Sequence, residues 1–187
     1  MTEPDNAILE IYVQPGESRL VSEPAVLRTV LGSCVGITFL IPRLGVAALC
    51  HPMLPKYPAA QLANGDVRSG RRYVDFAVRD MACRLDALGA GRGEAVVKLF
   101  GGNDVLAVTS NARPTVGKLN SEAAIRVLAD EGFAVTASCL GGEAGIHITF
   151  DTSTGEVRLR HLDDQVRGKT RRPSGTVRRS DSSSGES

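Results

Sequence analysis

Apolar positions alternate with small or polar ones through the first third of the chain. Residues 7–13 and 26–31 read as strands on either side of a Pro/Gly/Ser segment. Residues 34–40 (CVGITFL) and 45–51 (GVAALCH) then flank the turn 41–44 (IPRL), which predicts a β-hairpin. In that hairpin Val35, Ile37 and Phe39 point one way, facing Val46, Ala48 and Cys50, and form a core face. The other face sets Cys34, Gly36 and Thr38 against Ala47, Leu49 and His51, small and partly polar as a pocket floor should be. Folding Leu40 against Gly45 places Cys34 directly opposite His51. Directly opposed residues have Cβ atoms about 4.5–5.5 Å apart, so thiol and imidazole would be neighbours. A loop one residue longer would send them to opposite faces.

The pattern changes after the hairpin. Residues 52–70 are a long polar connection carrying Pro52, Pro55, Pro58, Asn64 and Gly65; following His51 directly, it is a candidate rim for a site there. Residues 71–88 predict a helix, with Val74, Val78, Met81, Leu85 and Leu88 at helical spacing and Gly89 placed to end it. Residues 95–100 (AVVKLF) predict a strand stopped by Gly101 and Gly102. A second helix is expected over 120–130, capped by Asn120 or Ser121 and followed by Gly132. Strands follow at 133–138 and 146–150, and 156–162 closes a hairpin through the turn-forming run DTSTG. The expected class is α+β, an α/β sandwich of mixed, largely antiparallel sheets flanked by two or three helices.

Composition narrows the function classes. The 187 residues suit one domain with a real core. With 4% aromatics and no Trp, stacking platforms for single-stranded nucleic acid are not expected, and a net charge of +1 calls for no polyanionic partner. No apolar stretch approaches the roughly 18–20 residues a membrane span needs, and the acidic start MTEPDNAILE lacks a signal pattern, so a cytoplasmic protein without membrane insertion is expected. Residues 166–187 hold six basic and two acidic residues and only two valines, and read as a disordered basic, Ser-rich tail. The expected organisation is a flexible start at 1–6, one domain at 7–165 and that tail.

Chemistry concentrates at Cys34 and His51. A base beside a thiol can generate the thiolate nucleophile, and amides of the Gly32–Ser33 bend before Cys34 could hold a developing oxyanion. The plainer alternative is a packing cysteine beside a structural histidine. Cys50 and Cys83 are expected to pack, Cys139 to be a surface or strand thiol, and His161 to lie on the surface. A zinc set of Cys34, Cys50 and His51 is disfavoured, because adjacent strand residues point to opposite faces; no metal or other cofactor is expected. Gly101-Gly102 and Gly141-Gly142 match no phosphate loop and read as turns.

The run LGSCVGITF followed by GVAALCHPMLP resembles the CheD family of chemoreceptor glutamine deamidases. RRYVDFAV, KLFGGNDVL, VGKLNSEAAIRVLADEGF and LGGEAGIHITFDTSTGEVRLRHL resemble further segments of that family in the same order, so the likeness spans residues 7–162. The resemblance implies a cytoplasmic protein-glutamine glutaminase of chemotaxis, a cysteine hydrolase that converts glutamines of methyl-accepting chemoreceptors to glutamate. It implies a deamidating-toxin-like sandwich and no cofactor. The family's Cys-His-Thr arrangement falls on Cys34 and His51, with Thr29 as the candidate threonine. An alignment one residue earlier would give Arg28, and alternation sets those two on opposite faces. Ile146 stands where the family's C-terminal turn has Arg, and Leu119-Asn120 where its second helix has Arg-Asn. Two other readings are a catalytically silent adaptor binding chemoreceptors or a CheC-type phosphatase, and a different cysteine amidohydrolase or peptidase.

Overall fold

The computed structural model describes residues 8–58, 66–104 and 114–162. The expectations for residues 1–6 and for the tail at 166–187 lie outside the described residues, as does the 59–65 part of the candidate rim. Among the described residues nine strands run in chain order: β1 Leu9–Tyr12, β2 Ser18–Val21, β3 Ala25–Leu31, β4 Val35–Ile41, β5 Val46–Cys50, β6 Val96–Gly101, β7 Val135–Leu140, β8 Ile146–Asp151 and β9 Val157–His161. The helices are α1 Val67–Gly70, α2 Val74–Ala87 and α3 Val116–Asp130. Two sheets form, ordered β1-β3-β8-β9 and β2-β5-β4-β6-β7. Among these strands the β1–β3 and β6–β7 pairs are parallel and the others antiparallel. The class is α+β, as the sequence indicated.

Three layers result. Val35, Ile37, Phe39, Val46, Ala48 and Cys50 face α2 and α3, whose Val78, Met81, Leu85, Ala124 and Leu128 complete one core. Ala47, Leu49 and Phe100 turn the other way and meet Leu27, Leu31, Ile148 and Phe150 of the smaller sheet in a second core. Strands β4 and β5 are thus covered on both faces, which explains their near-continuous apolar sequence. The predicted core face is present. The face read as a pocket floor is instead packed against the second sheet, with Thr38 buried. Only its end, at Cys34, is half-exposed.

The hairpin register corrects the sequence reading. Ile37 pairs with Cys50 and Ile41 with Val46, so Cys34 is not directly opposite His51. The turn is Pro42–Gly45, one residue later than expected. Pro42 occupies the first position of a 3-10 turn, where its missing N–H and fixed φ cost nothing, so Ile41 stays in the strand. Gly45 closes the turn at φ 63°, donating its N–H to the Pro42 carbonyl at 3.2 Å. The register moves by two residues, and side-chain faces are unchanged.

Other boundaries shift for local reasons. Strand β2 lies inside the segment read as a connection, a four-residue edge strand too short to show a pattern. Helix α3 begins with Thr115 as its cap, whose Oγ1 accepts from the Lys118 N–H at 3.2 Å; Asn120 and Ser121 are inside it. Cys83 is exposed on α2, against the expectation that it packs: its neighbours Ala82 and Met81 take the buried stripe. Phe133 precedes β7 and packs edge-on against Phe39, ring centroids 5.2 Å apart.

Candidate active site

His51 follows β5 and is held at its backbone by the segment leading into β2. Its N–H donates to the Glu17 carbonyl at 2.9 Å, and the Gly16 N–H donates to its carbonyl at 2.7 Å. The residue is 1% exposed. Alternation from Ala47 and Leu49 turns its ring into the layer between the sheets, where Thr29 of β3 waits, fully buried. Thr29 Oγ1 lies 2.7 Å from His51 Nδ1 and donates to the Val13 carbonyl at 2.8 Å. That carbonyl is also 3.4 Å from Nδ1.

This network assigns the tautomer. A threonine hydroxyl has one hydrogen, and the Val13 carbonyl can only accept it. The Thr29 oxygen therefore accepts from Nδ1–H, and Nε2 is left with its lone pair. Nε2 is buried and has no hydrogen-bond partner among the described residues. It is the basic atom of the ring. Arg28 points outward and pairs with Glu10 at 2.7 Å, so the inward residue of this strand is Thr29.

Cys34 sits in the bend between β3 and β4 and packs against the inter-sheet core, the layer that holds His51. The Val35 N–H donates to the Pro52 carbonyl at 3.2 Å, which continues the hairpin register. Continuing that register sets Cys34 two residues along from the position opposite His51, and no hydrogen bond joins the thiol to the ring among the described residues. All three carbonyls of the bend are tethered. The Gly32 oxygen accepts from the Asn103 N–H (2.9 Å), Ser33 from Asn120 Nδ2 (2.8 Å) and Cys34 from the Gly102 N–H (2.8 Å). In a trans peptide the N–H points away from the C=O. The amides of Ser33 and Cys34 therefore face away from those tethers.

Burial pushes the Cys34 thiol up, and its own backbone N–H partly offsets this. Burial likewise holds His51 below its ordinary value, against a smaller opposite pull from the Val13 carbonyl. Both shifts favour the uncharged forms, thiol and neutral imidazole. Cys50 lies in the helix-side core, its thiol pushed up to about 11 by burial. Cys83 and Cys139 are exposed on α2 and β7. Cys50 and His51 face different layers, so the zinc set is not assembled, and no group of three metal-binding side chains occurs among the described residues. His147 lies on the outer face of β8 near Arg160 and Arg28, and His161 is exposed.

Three contributors have roles that the sequence reading did not give them. Asn120, read as a cap, donates to the Ser33 and Met53 carbonyls, each at 2.8 Å. Asn103 is buried and braces the bend through its amide. Gly101, read as a turn glycine, adopts φ 94°, and a Cβ there would overlap the Cys34 carbonyl oxygen. The Gly-Gly pair was the available signal for this close approach.

Fold and site define a two-sheet α+β protein with a half-exposed thiol and an oriented, buried imidazole in one interior layer. The chain belongs to the CheD family, matching CheD chemotactic sensory transduction over residues 53–161. It is 39% identical to the probable chemoreceptor glutamine deamidase CheD 2 of Geobacter sulfurreducens, over 82% of this chain and 90% of that one. It is 37% identical to the probable chemoreceptor glutamine deamidase CheD of Archaeoglobus fulgidus, over 81% and 93%. Among solved structures it is similar to the hypothetical protein YfiH of Bacillus licheniformis, with a TM-score of 0.42 and 10% identity, over 67% of this chain and 49% of that one. Among the described residues no helix is long and apolar enough to cross a membrane.

Proposed function

We propose that the protein is a protein-glutamine deamidase acting on methyl-accepting chemoreceptors by cysteine nucleophilic catalysis. The reaction class and substrate rest on the family and on what its named relatives act on. One observation carries the mechanism: the Thr29–His51 hydrogen bond leaves Nε2 unpartnered in the layer of Cys34.

His51 Nε2 takes the proton of the Cys34 thiol, and the thiolate attacks the side-chain amide carbon of a receptor glutamine. The oxygen that gains charge is held by backbone amides of the bend, those of Ser33 and Cys34. Protonated His51 returns its proton to the amide nitrogen, the C–N bond breaks, and ammonia leaves a Cys34 thioester. Water then attacks the thioester carbon and gives a proton to Nε2. The C–S bond breaks, the thiol is reprotonated, and glutamate is released. Thr29 keeps the ring in the productive tautomer throughout.

The direct test is the intact mass of a receptor cytoplasmic fragment incubated with the protein. Each converted glutamine adds about 1 Da and releases one ammonia. An unchanged mass favours the silent adaptor, a shortened fragment favours a peptidase, and either overturns the proposal.

The pH dependence follows from the buried base. Only neutral His51 can accept the proton, and burial lowers its pKa. Stopped assays across pH are therefore expected to show kcat/KM level down to about pH 6.5, falling only below it. An acid limb centred above that value is the contrary result.

A further inference from the structure

We propose that Asn120 is a positioning residue for the nucleophile, fixing the plane of the peptide that joins Ser33 to Cys34; this rests on the deamidase reading above. The start of α3 is pressed onto the loop that holds the bend. A Cβ at Gly117 would come within 2.6 Å of the Gly102 oxygen and 2.8 Å of the Asn103 oxygen. That approach delivers Asn120, 0% exposed, to two carbonyls from distant parts of the chain.

Both hydrogens of its amide nitrogen are used. One goes to the Ser33 carbonyl, immediately before the nucleophile, and the other to the Met53 carbonyl, two residues after His51. Carbonyls only accept, so the side chain must present its nitrogen to them and not its oxygen. Asparagine is a poor residue for a helix interior, and here its own oxygen is buried without a partner among the described residues. What the position retains is the pair of donors. Through them one side chain ties the strand end that bears the thiol to the strand end that bears the base.

The consequence falls on the Cys34 amide. With the Ser33 carbonyl held toward α3, planarity turns the Cys34 N–H the other way, away from that helix. That amide favours the thiolate against the effect of burial. Without Asn120 the Ser33–Cys34 peptide loses the bond that sets its plane, although its neighbours stay tethered, and thiolate and oxyanion lose a fixed donor.

The experiment uses the full chain with Cys83→Ser and Cys139→Ser, so that alkylation by iodoacetamide reports Cys34. Asn120→Ala and Asn120→Ser are compared with the parent. The expected result is a kcat lowered about 10- to 100-fold with KM within about twofold, and an alkylation-rate profile displaced to higher pH. Folded variants with parental kcat and an undisplaced profile overturn the inference. Alkylation needs no receptor, so a parent that fails to deamidate sinks the deamidase reading while the displaced profile still judges Asn120. Should neither variant fold, solvent exchange of the Asn120 side-chain amide is measured by NMR in the unsubstituted protein. Slow exchange of both hydrogens supports the inference, and exchange at the rate of an exposed amide overturns it.

Discussion

Cys34→Ala is expected to lower glutamine conversion by roughly 10⁴-fold or more while leaving the thermal transition nearly where it was. The two halves of that outcome have separate causes. The thiol is the atom that bonds to the substrate carbon, so no neighbouring group replaces it. The side chain is small and half-exposed at the end of the inter-sheet layer, where substitutions usually change stability by no more than about 0.5 kcal/mol. His51→Ala makes the informative contrast. It should abolish activity to a similar degree, yet also destabilise the fold, because a buried ring is removed and the Thr29 hydroxyl keeps only its bond to the Val13 carbonyl. The lost hydrogen bond is worth about 0.5–1.5 kcal/mol, and the cavity left by the ring adds to it. Ammonia release and circular dichroism melts on both variants separate the roles. Equal activity losses with unequal melting shifts are expected; a Cys34→Ala protein that still releases ammonia would remove the nucleophile from the scheme.

Gly101→Ala is expected to damage fold and site together, destabilising by about 2–4 kcal/mol. Its φ of 94° is one that side-chain-bearing residues avoid, and the added Cβ would meet the Cys34 carbonyl and, at 3.2 Å, Leu31 Cβ. The atom in the way is backbone and cannot swing aside. The bend would have to move, taking with it the Gly102 N–H bond to the Cys34 carbonyl. Gly45→Ala is the matched comparison, with φ 63° and nothing within 4 Å of the added carbon. It should cost only the left-handed backbone penalty, about 1–2 kcal/mol, and keep its activity. Urea melts of the two variants measure the difference. Equal destabilisation would mean that the contact with Cys34 contributes nothing.

How far the sequence revealed this site depended on distance along the chain. The alternation of β3, β4 and β5 identified which residues share a face, because period-two patterning is local and these strands are covered on both sides. The valine and leucine spacing of α2 and the DTSTG turn were legible for the same reason. Register was not. Whether Ile41 turns or continues depends on how Pro42 is used, and a 3-10 turn begun by proline leaves Ile41 paired with Val46. That placed Cys34 and His51 diagonally rather than opposite. The error spared their common face only because the shift was an even number of residues.

The supports of the site lay beyond local pattern altogether. Asn120 has the composition of a helix cap, and nothing near it indicates that its partners are Ser33 and Met53, 87 and 67 residues away. Thr29 shows a similar limit at shorter range. Its position in β3 was readable, but two alignments of the family threonine set Thr29 and Arg28 against each other. The structure turns Thr29 toward His51 and Arg28 toward Glu10.

The covalent intermediate is the most direct thing to measure. Receptor fragment and protein, mixed for milliseconds and quenched in acid, should yield a species with the summed mass of both chains less one ammonia, about 17 Da. Peptide mapping should place the bond on Cys34. Full turnover with no such species at any time point, or an adduct of the same mass formed by Cys34→Ala, would contradict catalysis through this thiol.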